Sequence, residues 1–423
     1  MTVLRARSDR RFVRSGHRSE RFVLVDLDAP ASTRKPERDQ VNVAFVLDRS
    51  GSMAGQKIEL AKRAIEFAVG RLLPTDRFSI VCYDDRIDVV VEGTHASGEA
   101  KSAGLKRLAS IGARGSTDLG GGWLRGAEQV ALELAAPGVN RVLLLTDGLA
   151  NQGITDPAAL ASHAAELRAR GVATSTFGVG DDFDEALLQA MADAGGGHFY
   201  YIENASQIQD HIASEVGELL EVVARDASIE VTAAEGLEIG MLSPYRIEHR
   251  GDRHTVLLGD LVAEQQLQMV LRVRFGYGPI GQEIGLLVAV NDSDGALVGA
   301  GAAPIGIGWE YADDATNDRQ PRDRAVDRIV AHLFAARARQ EAVAFNTRGD
   351  FEGAVRSLRR VGGRIAAYAG SDPELQGLVD SLHAEESDWS RVQQPAFQKV
   401  AFAASSYALR SREAGGHAKR RES

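Results

Sequence analysis

The chain has 423 residues, a length that exceeds one ordinary domain and predicts two or three. Its net charge of −10 argues against general nucleic-acid binding, which requires a basic surface. It has one cysteine, Cys82, so an intrachain disulfide is excluded and a reducing compartment is favoured.

The first segment of the chain is basic, unlike the rest. Its longest apolar run, residues 22–25, is shorter than the roughly 7–15 residues of a secretory signal. No stretch approaches the roughly 18 apolar residues of a membrane span, so we expect a cytoplasmic protein. The basic residues predict a solvated strand or loop, with an arm that binds an acidic partner as the alternative. They are Arg5, Arg7, Arg10, Arg11, Arg14, Arg18 and Arg21.

Strand and helix patterns alternate between residues 41 and 224. Strand patterns lie at 41–47, 78–83, 87–91, 141–146, 173–179 and 198–202. Helical patterns lie at 58–72, 99–110, 119–135, 157–170, 183–192 and 205–223. The alternation predicts an α/β domain over residues 40–224, with a doubly wound, mostly parallel sheet and helices on both faces.

From residue 225 the pattern changes to short alternating strands separated by turns. The strand patterns lie at 228–232, 253–258, 267–275 and 284–290. They predict an antiparallel β-sandwich domain over residues 225–315. Residues 21–27 also resemble a strand, and we expect this N-terminal segment, residues 1–39, to pair with the sandwich. The α/β domain would then be an insertion between sandwich strands.

The last quarter of the chain is helical. Amphipathic patterns lie at 325–347, 350–368, 374–390 and 395–409. They predict a C-terminal helical domain over residues 316–412, and the lack of a sustained repeat favours a small bundle over a repeat array. The polar residues 413–423 predict a disordered tail.

Oxygen-bearing side chains gather at loops of the α/β region. Asp48, Ser50 and Ser52 follow the first strand, Thr117 precedes a helix, and Asp147 follows the strand at 141–146. In an open parallel sheet ligands bind outside the carboxyl ends of the strands, so the two aspartates converge if their strands are neighbours. Two carboxylates and three hydroxyls, without histidine or cysteine, predict a hard cation: Mg²⁺, Mn²⁺ or Ca²⁺.

The total charge of these proposed ligands indicates what a bound cation could do. Two carboxylates balance a divalent ion and the hydroxyls add no charge, so the ion stays electrophilic. It also lacks one ligand of an octahedral shell. A carboxylate supplied by another molecule could fill that position, which indicates recognition of a partner without bond making or breaking.

The five residues Asp48, Ser50, Ser52, Thr117 and Asp147 match, position by position, the metal-ion-dependent adhesion site of von Willebrand factor A domains. The resemblance covers about residues 40–224. Residues 20–27 and 225–310 resemble the sandwich that accompanies such domains in bacterial relatives of the inter-alpha-trypsin inhibitor heavy chains. The resemblance implies a non-catalytic adaptor that binds an acidic side chain of a protein partner. It also implies that the hydroxyls coordinate the ion directly, and that one or both aspartates act through water.

Each segment has a structural alternative. Ser50 could form a turn, and Ser52 or Thr117 could cap a helix. We expect Asp118 to cap the helix that begins near residue 119, and therefore leave it out of the metal set.

Two further functions remain open. A metal-dependent hydrolase would need a cation to hold a phosphate, and Arg49 and Arg114 lie in the candidate loops. The family resemblance also implies an assembly factor that works beside a AAA+ ATPase. The chain itself has no Gly-x-x-x-x-Gly-Lys-Ser/Thr loop, so any nucleotide would belong to that partner.

Other candidate functional residues have weaker support in the sequence. An acidic cluster follows the strand at 173–179, and we favour a solvated loop that caps the next helix over a second cation site. It comprises Asp181, Asp182 and Asp184. The glycines at 195–197 follow a helix, so the amides of a phosphate loop are missing. We interpret Cys82 and His198 as packing residues.

Overall fold

The computed structural model describes residues 1–32 and 39–420. The chain forms two compact units, one of Ser32–Val222 and one that joins Met1–Ala31 to Val223–Ser423. Among the described residues, none of the helices combines the length and apolar character needed to cross a membrane.

The strands and helices are numbered in chain order. The strands are β1 (Val3–Ser8), β2 (Phe12–Arg14), β3 (Ser19–Asp28), β4 (Gln40–Asp48), β5 (Arg77–Tyr83), β6 (Ile87–His95), β7 (Gly138–Thr146), β8 (Ala173–Val179), β9 (Gly196–Ile202), β10 (Val222–Ala233), β11 (Leu237–Met241), β12 (Arg246–Arg250), β13 (Arg253–Val262), β14 (Gln266–Phe275), β15 (Glu283–Asn291) and β16 (Ile305–Ala312). The helices are α1 (Gln56–Arg71), α2 (Gly98–Ala109), α3 (Leu119–Ala131), α4 (Pro157–Ala169), α5 (Glu185–Ala194), α6 (Ile208–Leu219), α7 (Ala296–Gly299), α8 (Asp314–Arg319), α9 (Arg324–Thr347), α10 (Phe351–Ala369), α11 (Pro373–Trp389) and α12 (Pro395–Leu409).

The unit of residues 32–222 is built on a six-stranded sheet of order β6-β5-β4-β7-β8-β9. All neighbours pair in parallel except β6, an antiparallel edge strand. Strand order reverses at β4, which lies between β5 and β7, so this is the switch point where α/β folds bind ligands. The predicted doubly wound, mostly parallel sheet is confirmed.

Alternate residues of β4 pack against helices on opposite faces of the sheet. Val43 and Phe45 share a core cluster with residues of α1 and α6. On the other face, α3 approaches through glycine: a Cβ on Gly126 would lie 2.2 Å from Val46 Cγ2. Such a contact is too short for any side chain, so glycine at this position lets α3 lie close to the sheet.

The second unit contains two facing sheets, of order β1-β3-β14-β11 and β12-β13-β10-β15-β16-β2. Strand β3 comes from the N-terminal segment and pairs antiparallel with both β1 and β14. The two sheets enclose one apolar core, which includes Val25, Ile229 and Val288. The predicted antiparallel sheets are confirmed.

Strand β3 is buried on both faces, which accounts for its continuous apolar run. Val23 and Val25 face the sandwich core. Phe22 and Leu24 face the other way and pack with residues of α9, among them Val330. Because α9 covers the outer face of this sheet, the sandwich and the C-terminal helices belong to one compact unit instead of the two separate domains predicted.

Helices α9 to α12 form the predicted C-terminal bundle. Their shared core includes Ala338, Leu358, Leu382 and Trp389. The four helices begin and end within two residues of the predicted patterns, because each has a continuous apolar stripe and a clear N-terminal signal.

The predicted disordered tail is wrong for residues 413–420, whereas 421–423 lie outside the described residues. Arg420 forms a bridge with Gln265, and the amide of Gln266 donates to the carbonyl of Lys419 at 2.8 Å. Backbone pairing fixes this segment, and backbone pairing needs no apolar pattern that the sequence could display.

The basic N-terminal residues lie mostly on strands with partners in the same unit. Arg5 pairs with Asp28 at 3.1 Å and Arg14 with Asp314 at 2.9 Å. Arg21 is buried and donates to the carbonyl of Phe12 at 3.0 Å. These contacts favour the strand interpretation over a free basic arm.

Candidate metal centre

The candidate site lies at the carboxyl ends of β4 and β7, which are parallel neighbours with Leu47 opposite Leu145. Asp48 ends β4 and Asp147 follows β7, and both side chains are completely buried. The hydroxyl of Thr146 donates to Asp48 Oδ2 at 2.6 Å and ties the two strand ends together.

The loop after β4 carries a line of oxygen atoms. Its first turn is fixed by the amide of Ser50, which donates to Asp48 Oδ1 at 2.8 Å. The hydroxyls of Ser50 and Ser52 lie 3.1 Å apart, and Ser52 donates to Asp147 Oδ1 at 2.6 Å. Ser52 is exposed, so the line of oxygens reaches solvent there.

A second loop brings in Thr117, which is buried. The amide of Gly51 donates to the carbonyl of Gly115 at 3.1 Å, so this loop lies directly against the first. A methyl group on Gly148 would lie 3.5 Å from the Thr117 hydroxyl and 3.8 Å from that of Ser52. Both hydroxyls therefore face the same point beside Asp147.

Asp84 holds the two loops in register. Its Oδ2 atom accepts from Nε of Arg49 at 2.9 Å and from Nε of Arg114 at 2.7 Å. Its carbonyl accepts from the amide of Asp118 at 2.9 Å. Burial by itself would raise the pKa of Asp84, but the bonds from the two arginines and from a backbone amide outweigh it, and the pKa is lowered. An ionised Asp84 is thus the anchor of both loops.

A lysine also reaches the site. Lys57, in the first turn of α1, donates to Asp147 Oδ2 at 2.5 Å. Its side chain is 29% exposed, while the carboxylate that it contacts is completely buried.

The donor set fits a hard divalent cation. It consists of oxygen atoms alone, and such sets select Mg²⁺, Mn²⁺ or Ca²⁺ over softer metals. Burial raises the pKa of Asp48, and the neighbouring charge of Asp147 raises it further, while hydrogen bonds from Thr146 and Ser50 offset part of the rise. A cation would favour the charged form of Asp48, which burial disfavours.

The structure thus brings together the side chains that the sequence singled out, and adds Thr146, Lys57 and Asp84. Thr146 ends the strand predicted at 141–146 but had no assigned role in the site. Lys57 and Asp84 were missed because their roles depend on contacts across 90 and 30 positions of sequence. Cation binding by these five residues stays a prediction.

Asp118 caps α3, as predicted, because its side chain accepts from the amide of Gly121 at 2.9 Å. We expect Asp118→Ala to lower the free energy of unfolding by about 1 kcal/mol, the usual effect of removing a cap. Urea denaturation measures this loss. Asp118→Ser keeps a capping oxygen and should retain most of the stability; an equal loss in both variants would contradict the capping role.

The weaker candidates have structural roles. Asp184 caps α5 through the amide of Leu187 at 2.9 Å, as the solvated-loop interpretation predicted. Cys82 is buried, and burial raises the pKa of its thiol to about 12. His198 was interpreted as a packing residue, but its Nδ1 lies 3.1 Å from Oε2 of the buried Glu215.

The protein-family model described as von Willebrand factor type A domain matches residues 42–214 of the sequence. The uncharacterized protein YfbK of Escherichia coli (strain K12) is 33% identical over 280 residues, which cover 61% of this chain and 48% of YfbK. Inter-alpha-trypsin inhibitor heavy chain H1 of Mesocricetus auratus is 27% identical over 267 residues, 55% of this chain and 29% of the heavy chain. The chain therefore spans about half the length of the first relative, and less of the second.

Two solved structures resemble the whole chain. A von Willebrand factor type A protein from Catenulispora acidiphila has a TM-score of 0.73 at 20% identity, and the match covers 99% of this chain and 97% of that one. The ArnB paralog VWA2 from Sulfolobus acidocaldarius has a TM-score of 0.62 at 18% identity, with coverage of 99% and 100%. At these identities the likeness shows the fold alone.

Proposed function

Residues 42–214 form a von Willebrand factor type A domain, and we propose that this chain is a non-catalytic interaction protein that uses the domain to bind an acidic side chain of a protein partner. Such domains commonly mediate metal-dependent protein–protein interaction. The proposed ligands of a divalent cation, Mg²⁺ or alternatively Mn²⁺ or Ca²⁺, are Asp48, Ser50, Ser52, Thr117 and Asp147.

One observation carries the proposal: oxygen atoms from three loops face one point, with two buried carboxylates beneath them. The line runs from Ser50 to Ser52 at 3.1 Å and from Ser52 to Asp147 at 2.6 Å. When bound, the cation would supply an electrophilic position that a partner carboxylate can fill. The chain's own part is to hold the donors in place and to present Ser52, the exposed member, to the partner.

The hydrolase alternative receives little support from the geometry. Its candidate phosphate-binding residues, Arg49 and Arg114, both donate to Asp84 and also lie against Asp88. Arginines engaged in this way hold the loops together. Neither histidine nor glutamate, two common general bases, lies among the described contacts of the five proposed ligands.

The test is a partner capture with the full chain immobilised, washed with EDTA or with Mg²⁺, and read by mass spectrometry. We expect at least one partner that EDTA releases and that Mg²⁺ restores. An ATPase among these partners would support the assembly-factor role. The proposal fails if every retained protein is insensitive to the chelator, and turnover of a phosphoester panel would favour the hydrolase instead. The cytoplasmic location stays a prediction.

A further inference from the structure

Lys57 occupies an electrostatically unusual place. It lies in the first turn of α1, where the helix dipole favours anions and disfavours cations. Its ammonium lies 2.5 Å from Asp147 Oδ2, while Oδ1 of the same carboxylate accepts from Ser52. A Cβ on Gly180 would lie 3.6 Å from the ammonium nitrogen, so the ammonium lies between the ends of β7 and β8. The contact with Asp147 accounts for a lysine at this position.

The ammonium changes the charge of the site. Asp48 and Asp147 carry two negative charges, which on their own would neutralise a divalent cation. With Lys57 the group carries one net negative charge, so a bound divalent cation leaves one net positive charge. An added carboxylate restores neutrality. The lysine therefore opposes the cation when it binds alone and favours a site in which cation and carboxylate are both present.

We propose that Lys57 couples the two binding events, so that this chain holds its cation weakly until an anionic partner group arrives. The inference rests on the proposed function and concerns the same site. The coupling is reciprocal, because a carboxylate that tightens cation binding is itself bound more tightly when the cation is present. Lys57 does not need to be a ligand for this role, since it acts through its charge on Asp147.

The experiment measures Mn²⁺ binding by isothermal titration calorimetry, on the chelator-treated full chain, in sodium acetate and in sodium chloride of equal ionic strength. Acetate serves as the carboxylate, and equal ionic strength keeps the screening constant. We expect Lys57→Met to bind Mn²⁺ about tenfold tighter than the wild type in chloride, because a positive charge near the cation is removed. We also expect acetate to tighten Mn²⁺ binding to the wild type more than to Lys57→Met.

Two variants serve as controls. Lys57→Arg keeps the positive charge and should bind Mn²⁺ more weakly than Lys57→Met does. Lys106→Met removes an exposed lysine on α2 and should leave the affinity unchanged, which separates the local effect from a change in net charge. Thermal unfolding gives a second readout: Lys57→Met should melt lower than the wild type in chelator and gain more from Mn²⁺.

The outcomes separate this inference from the proposed function. If the wild type binds Mn²⁺ and Lys57→Met binds it equally or more weakly, the coupling role of Lys57 is wrong while the metal site stands. If neither protein binds Mn²⁺, the proposed function itself is overturned. If Lys57→Met binds Mn²⁺ and the wild type does not, the result would support both the metal site and the coupling role of Lys57.

Discussion

Asp147→Ala is expected to weaken Mn²⁺ or Mg²⁺ binding by at least about 100-fold, because it removes one of two buried unit charges that face the cation. The same change should abolish partner capture that depends on the cation. Asp147 is completely buried and accepts from both Ser52 and Lys57, so both groups lose a partner. Lys57 is part-exposed and can turn to solvent, which limits the damage to the fold.

Calorimetric titration with Mn²⁺ measures the affinity of this variant, and urea denaturation shows that it is folded. Asp156→Ala is the matched control, since Asp156 lies in the same loop and caps α4 through the amide of Ala159 at 3.1 Å. The control should lose about 1 kcal/mol of stability and keep its cation affinity. An Asp147→Ala protein that is folded and binds Mn²⁺ within about threefold of the wild type would contradict the assignment of Asp147 as a ligand.

The second large effect concerns the buried Glu215 of α6. Its Oε1 accepts from Nη1 of Arg141 at 2.9 Å and from the hydroxyl of Ser175 at 2.5 Å. Its Oε2 accepts from the hydroxyl of Tyr200 at 2.6 Å and lies 3.1 Å from Nδ1 of His198. Each partner lies on β7, β8 or β9, so one carboxylate fastens α6 to three strands of the sheet.

We expect Glu215→Ala to lower the free energy of unfolding by about 3–5 kcal/mol, because it breaks the buried ion pair with Arg141. Urea denaturation measures the change. Glu166→Ala, at an exposed position of α4, should change stability by less than about 0.5 kcal/mol. The double variant Glu215→Leu with Arg141→Leu should recover part of the loss, since apolar side chains then replace both members of the buried pair. A loss below about 1 kcal/mol in Glu215→Ala would contradict the fastening role.

The contacts of Glu215 with Arg141, Ser175, Tyr200 and His198 also make the stability of the fold depend on pH in the acid range. Burial by itself would raise the pKa of Glu215, but His198 and Arg141 outweigh it and the pKa lies well below the ordinary value of 4.5. A carboxylate whose pKa falls on folding stabilises the fold above its unfolded pKa, and this stabilisation is lost as the pH falls towards the folded pKa. The stability difference between the wild type and Glu215→Gln should therefore narrow below pH 4.5. A difference that stays constant at these pH values would show that the charge of Glu215 is not what stabilises α6.

Much of this protein is determined by local pattern in the sequence. The alternation of apolar strands and amphipathic helices is sufficient to predict the α/β fold, because the period of the apolar residues indicates which face of each element is buried. The candidate ligands are likewise visible, since residue types and their places after strands are properties of the sequence. Cap residues such as Asp118 and Asp184 belong to this class too, because a cap acts within one turn of its helix.

Other features were decided only by the tertiary structure. The double burial of β3 depends on α9, which follows it by some 300 positions, and the order of residues 413–420 depends on pairing with Gln265 and Gln266. The contacts of Lys57 with Asp147 and of Asp84 with Arg49 and Arg114 exist because parallel strands bring their carboxyl ends to one edge. Local pattern carries no information on which strands become neighbours. The sequence therefore determined which residues supply the oxygen donors. Only the order of the strands in the sheet placed the positive charge of Lys57 beside them.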